Sequence, residues 1–204
     1  KRKLSKRKDP ESAVSYFLEE GYPIDSVIEY LLTIINSDYE LWRKANKTAN
    51  WREFEVKLNK LNSSGALFDM VKLTDVSKEV ISRLNSAELL ELVLAWAKVY
   101  DNSLYELLNN DLAYAKQILG IERDNATKIR KDIAKYKDIL PNIFYMYDEL
   151  FEKDIENGYN FNLNNGKLTM DDVKQVISNY IELHKQGLTK ETWFEEVKKM
   201  AEGL

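Results

Sequence analysis

The apolar residues Ile24, Val27, Ile28, Leu31, Leu32 and Ile35 fall at i, i+3, i+4, i+7, i+8 and i+11. That spacing is the stripe of an amphipathic helix, and it predicts one over 24–35. Upstream, Asp9 followed by Pro10 reads as an N-cap with proline at the first helical position, and Gly21 is placed to end that helix, giving ~10–20. Further helices are predicted at ~38–46 and at ~51–62, where Trp51, Phe54 and Leu58 align, before Ser63-Ser64-Gly65 breaks the pattern. Phe68 to Thr74 reads as a turn-rich connection.

Ser86 opens a helix of about 14 residues whose Leu89, Leu90, Leu92, Val93, Leu94, Trp96, Ala97, Val99 and Tyr100 surround the axis, the pattern of a central buried helix. After Gly120 a helix is predicted near 123–139. Leu140-Pro141-Asn142 restarts another that places Phe144, Tyr147, Leu150 and Phe151 on one face. Residues 157–168 read as a loop, Thr169 caps a helix carrying Val173, Val176, Ile177, Tyr180, Ile181 and His184 on one stripe, and Thr189 caps a last one with Trp193, Phe194, Val197 and Met200. No alternating strand pattern occurs, so the expected class is all-α, a multi-helix bundle.

Composition narrows the chemistry. The 204 residues are 44% hydrophobic and 31% charged, with no Cys and a single His, which removes disulfides and thiolate metal sites. No apolar run reaches the roughly 20 residues of a membrane helix, and the expected setting is cytoplasmic. The net charge is −4, but the first eight residues carry six cations, so the other 196 sum to −10. Any polyanion must therefore meet local basic patches, which act over about 10 Å at moderate salt. His184 has no second His to form a metal or acid/base set and is assigned to the core. No metal-ligand set is expected.

The segment Lys3-Leu4-Ser5-Lys6-Arg7 resembles the second signature loop, KMSKS, of class I aminoacyl-tRNA synthetases, in the form typical of glutamyl and glutaminyl enzymes. Glu19-Glu20-Gly21-Tyr22-Pro23 followed by Ile28-Glu29-Tyr30-Leu31-Leu32, and then Phe68-Asp69-Met70-Val71-Lys72-Leu73, is similar in order and distance to the sequence that follows the signature in glutamyl-tRNA synthetases. The chain has Lys8-Asp9-Pro10 where most bacterial members have His-Gly-Ala, and Glu29 where Asn is commoner, which suggests a divergent branch.

The resemblance implies a C-terminal fragment: residues 1–9 are the loop of an upstream nucleotide-binding domain, 10–85 a stem-contact helical subdomain, and 86–204 an anticodon-binding helical domain. It implies that Lys6, flanked by Lys3, Ser5 and Arg7, meets the phosphates of ATP as glutamate is activated, where an ammonium stabilises charge built up in the transition state. The intact enzyme would use ATP with Mg²⁺, glutamate and tRNA(Glu), with tRNA(Gln) as a further candidate substrate, as a monomer; the fragment alone would bind tRNA weakly, hold no cofactor and catalyse nothing. Class I lysyl-tRNA synthetases, which share a helical anticodon-binding part, are one alternative. A helical protein-interaction module with a basic tail and no RNA role is the other.

Two patches are candidate tRNA contacts. In the predicted 123–139 helix, Arg123, Arg130 and Lys137 recur every seven residues, beside a second row of Lys128, Lys131 and Lys135, although Glu122, Asp124, Asp132 and Asp138 also fit a solvated face. The second patch contains Arg43, Lys44, Lys47, Arg52, Lys57 and Lys60 with Trp42 and Trp51, where cations beside aromatics suit exposed bases. The same Trp residues also suit a core.

Overall fold

The computed structural model describes residues 5, 8–62, 67–158, 163, 166–184 and 187–202, with 201 and 202 described by backbone alone. Among the described residues there are α-helices and short 3₁₀ turns and no strand, only an isolated bridge between Asn36 and Leu61, so the protein is all-α as its patterning predicts. The chain divides into two compact units, Lys1–Phe151 and Glu152–Leu204.

The first unit contains two hydrophobic clusters. One joins α1 (Val14–Glu19), α2 (Ile24–Ile35) and, beyond α3 (Ser37–Ala45), which packs on α2, α4 (Met70–Ser82), with Phe17, Tyr22, Tyr30 and Leu73 at its centre. Phe68 is its wedge, meeting the Tyr30 ring edge-on at 5.3 Å. The next residue, Asp69, caps α4 by accepting from the N–H groups of Val71 and Lys72, while its own N–H donates to the Tyr30 hydroxyl at 2.6 Å. Phe68 to Thr74 is therefore not a turn-rich link: a helix starts at Met70, because Asp69 satisfies donors a helix start leaves open.

The other cluster is built on α5 (Ser86–Tyr100), packed by α6 (Asn102–Asn110), α7 (Leu112–Gly120) and α8 (Ile139–Ile143) through Leu89, Val93, Ala97, Leu104, Leu108, Ala115 and Ile139. Asn85 and Glu88 close a capping box on α5, and Asp101 and Asp111 cap α6 and α7. α5 is central but not enclosed, since Leu92, Val99 and Tyr100 remain exposed.

The turn after α1 joins the two clusters. Gly21 has φ +82°, and a Cβ there would lie 3.1 Å from the Trp96 ring and 3.2 Å from the Lys137 amide nitrogen. Trp96 Nε1 donates to the Leu18 carbonyl at 2.7 Å, and the Tyr136 N–H donates to the Gly21 carbonyl at 2.8 Å. Only glycine combines this left-handed conformation with so close an approach. Beneath it, the buried Ser77 and Ser26 hydroxyls lie 3.1 Å apart, and Ser77 Oγ is 2.5 Å from the Ala134 carbonyl and Ser26 Oγ 2.6 Å from that of Pro23. Two hydroxyl protons serve those two carbonyls, at the shorter distances.

Several predicted elements differ. The ~10–20 helix is a 3₁₀ turn, Pro10–Ser12, followed by α1, and Asp9 does not cap it. Asp9 is buried and its carboxylate accepts the Ser5 N–H at 2.8 Å. In α2 the inward residues are Ser26, Glu29, Tyr30 and Leu32, whereas Ile24 is 63% exposed and Leu31 and Ile35 also face out. The ~51–62 helix is two 3₁₀ turns, Trp51–Glu53 and Leu58–Lys60. Phe54 packs on Tyr39 and Trp42 but Leu58 stays exposed, so no common face is buried to hold a helix.

The predicted 123–139 helix is absent: Glu122 has φ +52°, the chain turns inward, and only a 3₁₀ turn at Tyr136–Asp138 precedes α8. The helix predicted from Leu140 is divided into α8, a 3₁₀ turn at Phe144–Met146 and α9 (Asp148–Glu156), which breaks the proposed Phe144–Phe151 face.

In the second unit, α10 (Met170–Leu183) begins with the expected Thr169 cap, boxed with Asp172, and pairs with α11 (Lys190–Glu202). Trp193 Nε1 donates to the Tyr180 hydroxyl at 3.0 Å. His184 is not a core residue: it is exposed at the end of α10, with Nδ1 3.3 Å from the same hydroxyl.

Candidate nucleic-acid interface

Of the signature loop, Ser5 is described, and Lys3, Lys6 and Arg7 lie outside the described residues. The Ser5 carbonyl accepts from the N–H groups of Lys8 and Asp9 at 2.9 and 2.8 Å, and its N–H donates to the Asp9 carboxylate.

The first basic patch does not form the two rows that a helix would make. Arg123 is 6% exposed, and its guanidinium donates to the carbonyls of Leu119, Ile81 and Leu84 at 3.1, 2.7 and 3.0 Å, closing the C-terminal ends of α7 and α4. Burial pulls its pKa below the usual arginine value. Arg130 pairs with Asp132, and Lys131 pairs with Glu79 at 2.5 Å. Lys135 and Lys137 both reach Glu20 at 3.0 Å. These two hydrogen bonds hold the Glu20 carboxyl below its ordinary pKa; for Lys135, burial is the largest influence and works against the charge, but the bond to Glu20 together with the charges of Glu20 and Asp138 overcomes it and the pKa is raised. Lys128 is exposed. Asp124 is exposed, as a solvated face requires, and also accepts from the N–H and hydroxyl of Ser86, bonds that lower its pKa.

The second patch splits in two. Arg43 belongs to the interior: Nε lies 3.0 Å from Glu29 Oε2, Nη2 donates to Glu29 Oε1 and to the Tyr39 hydroxyl at 3.1 Å each, and Nη1 donates to the carbonyls of Asn46 and Ala49 at 2.8 and 2.7 Å. The four Nη donors of the guanidinium are thereby matched, while Nε meets Glu29 as an ion pair without a well-aligned hydrogen bond. Glu29, 3% exposed, also accepts from Arg83, forming an Arg–Glu–Arg triad of two half-buried guanidinium groups around a buried carboxylate. Burial pushes the neighbouring Tyr39 hydroxyl up to about 12.

Arg52 faces outward, its guanidinium carbon 4.2 Å from the Trp51 ring centroid, and Trp51 Nε1 is anchored to Asp25 Oδ1 at 2.9 Å. Lys44 and Lys47 are exposed; Lys57 and Lys60 pair with Glu55 and Asp38. The triad partners Glu29 and Arg83 were not candidates from the sequence. A glutamate among apolar residues of α2 was the available signal for Glu29; nothing local marks Arg83.

Both landmarks after the signature loop have architectural roles in this geometry, Gly21-Tyr22-Pro23 as a close turn on Trp96 and Phe68-Asp69 as a wedge and cap. Comparison with known proteins places the chain among the aminoacyl-tRNA synthetases. It is 45% identical over 201 residues to a glutamate–tRNA ligase of Clostridium perfringens (strain 13 / Type A), covering 98% of this chain and 36% of the relative. It is 40% identical over 201 residues to that of Sorangium cellulosum (strain So ce56), covering 98% and 34%. For Acetivibrio thermocellus the figures are 38% over 201 residues, 98% and 35%. The chain belongs to the glutamate–tRNA ligase family, corresponds to its C-terminal part, and spans about a third of the length of the curated relatives it matches. No family model matches the chain, and no solved structure matches it.

Proposed function

We propose that this chain is the tRNA-contacting C-terminal portion of an enzyme that joins glutamate to tRNA(Glu) using ATP. The observation that carries this is the identity of 38 to 45% to glutamate–tRNA ligases over 98% of the chain. The all-α architecture supports it. Residues 10–85, organised around the α1–α4 cluster, are assigned to the stem of the tRNA, and residues 86–204 to its anticodon region. Lys6, with Lys3, Ser5 and Arg7, is assigned to the phosphates of ATP, which in the intact cytoplasmic enzyme acts with Mg²⁺. A Lys suits that role as a compact, flexible charge.

The test is a titration of the chain with tRNA(Glu), tRNA(Gln) and an unrelated tRNA at low and near-physiological salt. Preference for tRNA(Glu), weakened by changing its anticodon, is the expected result, and comparable binding of tRNA(Gln) would extend the substrate range. Equal binding of all three would remove the anticodon assignment.

A further inference from the structure

The ion pairs sort the cations into those held inside the fold and those presented outward. Arg43 and Arg123 are consumed by internal acceptors, and Arg130, Lys131, Lys135 and Lys137 by carboxylates. In contrast, Lys44, Lys47 and Arg52 fall within nine residues of one another, are exposed, and make no ion pair among the described residues.

The segment that carries them is firmly built. Arg43, fixed by Glu29, clamps the Asn46 and Ala49 carbonyls; Asn46 Nδ2 donates to the Trp42 carbonyl at 2.8 Å; and Asn50 and Glu53 close a capping box around Trp51-Arg52. The bond from Trp51 to Asp25 fixes the ring on which Arg52 rests. Cations on a braced turn lose less conformational freedom on meeting an anion than they would on a loose tail. A guanidinium held over an aromatic ring retains an N–H fork that matches phosphate.

We propose that Lys44, Lys47 and Arg52, on the Trp51 platform, form a phosphate-contacting surface for tRNA, and that this surface rather than the 123–137 segment provides the main electrostatic contact of the first unit. The inference rests on the tRNA reading above. Glu29 and Arg43 are positioning residues for the surface, acting through the 46–50 turn.

The experiment measures the affinity of the chain for tRNA(Glu) from about 50 to 300 mM salt for wild type, K44A/K47A, R52A, R52K and a charge-matched control, K98A/K153A, which removes two exposed lysines elsewhere. K44A/K47A should weaken binding about tenfold at low salt and flatten the log–log salt slope by roughly one to two, whereas the control should retain the wild-type slope. R52A should flatten it by about one, and R52K should restore the slope but not the full affinity, because Lys lacks the fork. Helical content checks that each variant is folded. If K44A/K47A and the control behave alike while wild type still prefers tRNA(Glu), the surface is wrong and the tRNA reading stands; if wild type binds no tRNA at any salt, both are overturned.

Discussion

Arg43 meets Glu29 in a fork, Nε to Oε2 at 3.0 Å and Nη2 to Oε1 at 3.1 Å, with the carboxylate 3% exposed and Arg83 on its remaining side. Removing Glu29 leaves two half-buried guanidinium charges without compensation, the costly way to break an ion pair. Glu29→Ala should therefore lower the unfolding free energy by about 3 to 5 kcal/mol. Glu79→Ala, which breaks the exposed pair with Lys131, should cost less than about 1 kcal/mol. Urea denaturation of the two variants decides the matter, and equal losses would contradict the buried role of Glu29.

Gly21→Ala should destabilise by about 2 kcal/mol or more, because a Cβ must adopt a left-handed conformation and also lies 3.1 Å from Trp96. Near-UV circular dichroism should show a perturbed tryptophan environment together with the lower unfolding midpoint. An unchanged midpoint would mean that the turn relaxes freely.

Arg123→Lys keeps the charge but cannot reach the carbonyls of Leu119, Ile81 and Leu84 together. Orphaned buried carbonyls predict a loss of about 2 to 3 kcal/mol. The salt dependence of tRNA binding by folded Arg123→Met, which removes the charge, should match wild type; a flattened slope would restore Arg123 as an RNA contact.

The Glu20 pair predicts a specific pH dependence. Its carboxyl pKa is lowered in the folded protein, so the stabilisation is present above the ordinary value of 4.5 and is lost as pH falls through the depressed folded value. The Lys135 pKa is raised, so its contribution is complete below 10.5 and is lost as pH rises through the elevated folded value. Wild type should exceed Glu20→Gln in stability at neutral pH, with the gap closing on the acid side. A gap that is constant from pH 3 to pH 7 would exclude a role for the Glu20 charge.

That this protein is all-α, and where many of its helices begin, can be read from the chain alone, because these depend on groups a few residues apart. The Thr169 cap with Asp172 is three residues wide, and the 24–35 stripe is contained in one helix. The signature loop and its ordered landmarks also made the family legible. Yet periodicity shows that α2 has two faces without showing which one meets the core, and Glu29 went inward while Ile24 stayed out.

Which cations are available depends on long-range packing. Lys135 finds Glu20 115 positions away, Lys131 finds Glu79 across 52, and Arg123 leaves the predicted helix to satisfy carbonyls at 81 and 84. A row of basic residues on a line of sequence carries no record of such partners. Buried polar groups must be satisfied wherever the fold places them, and that requirement outweighs the local preference of residues 123–139 for a helix.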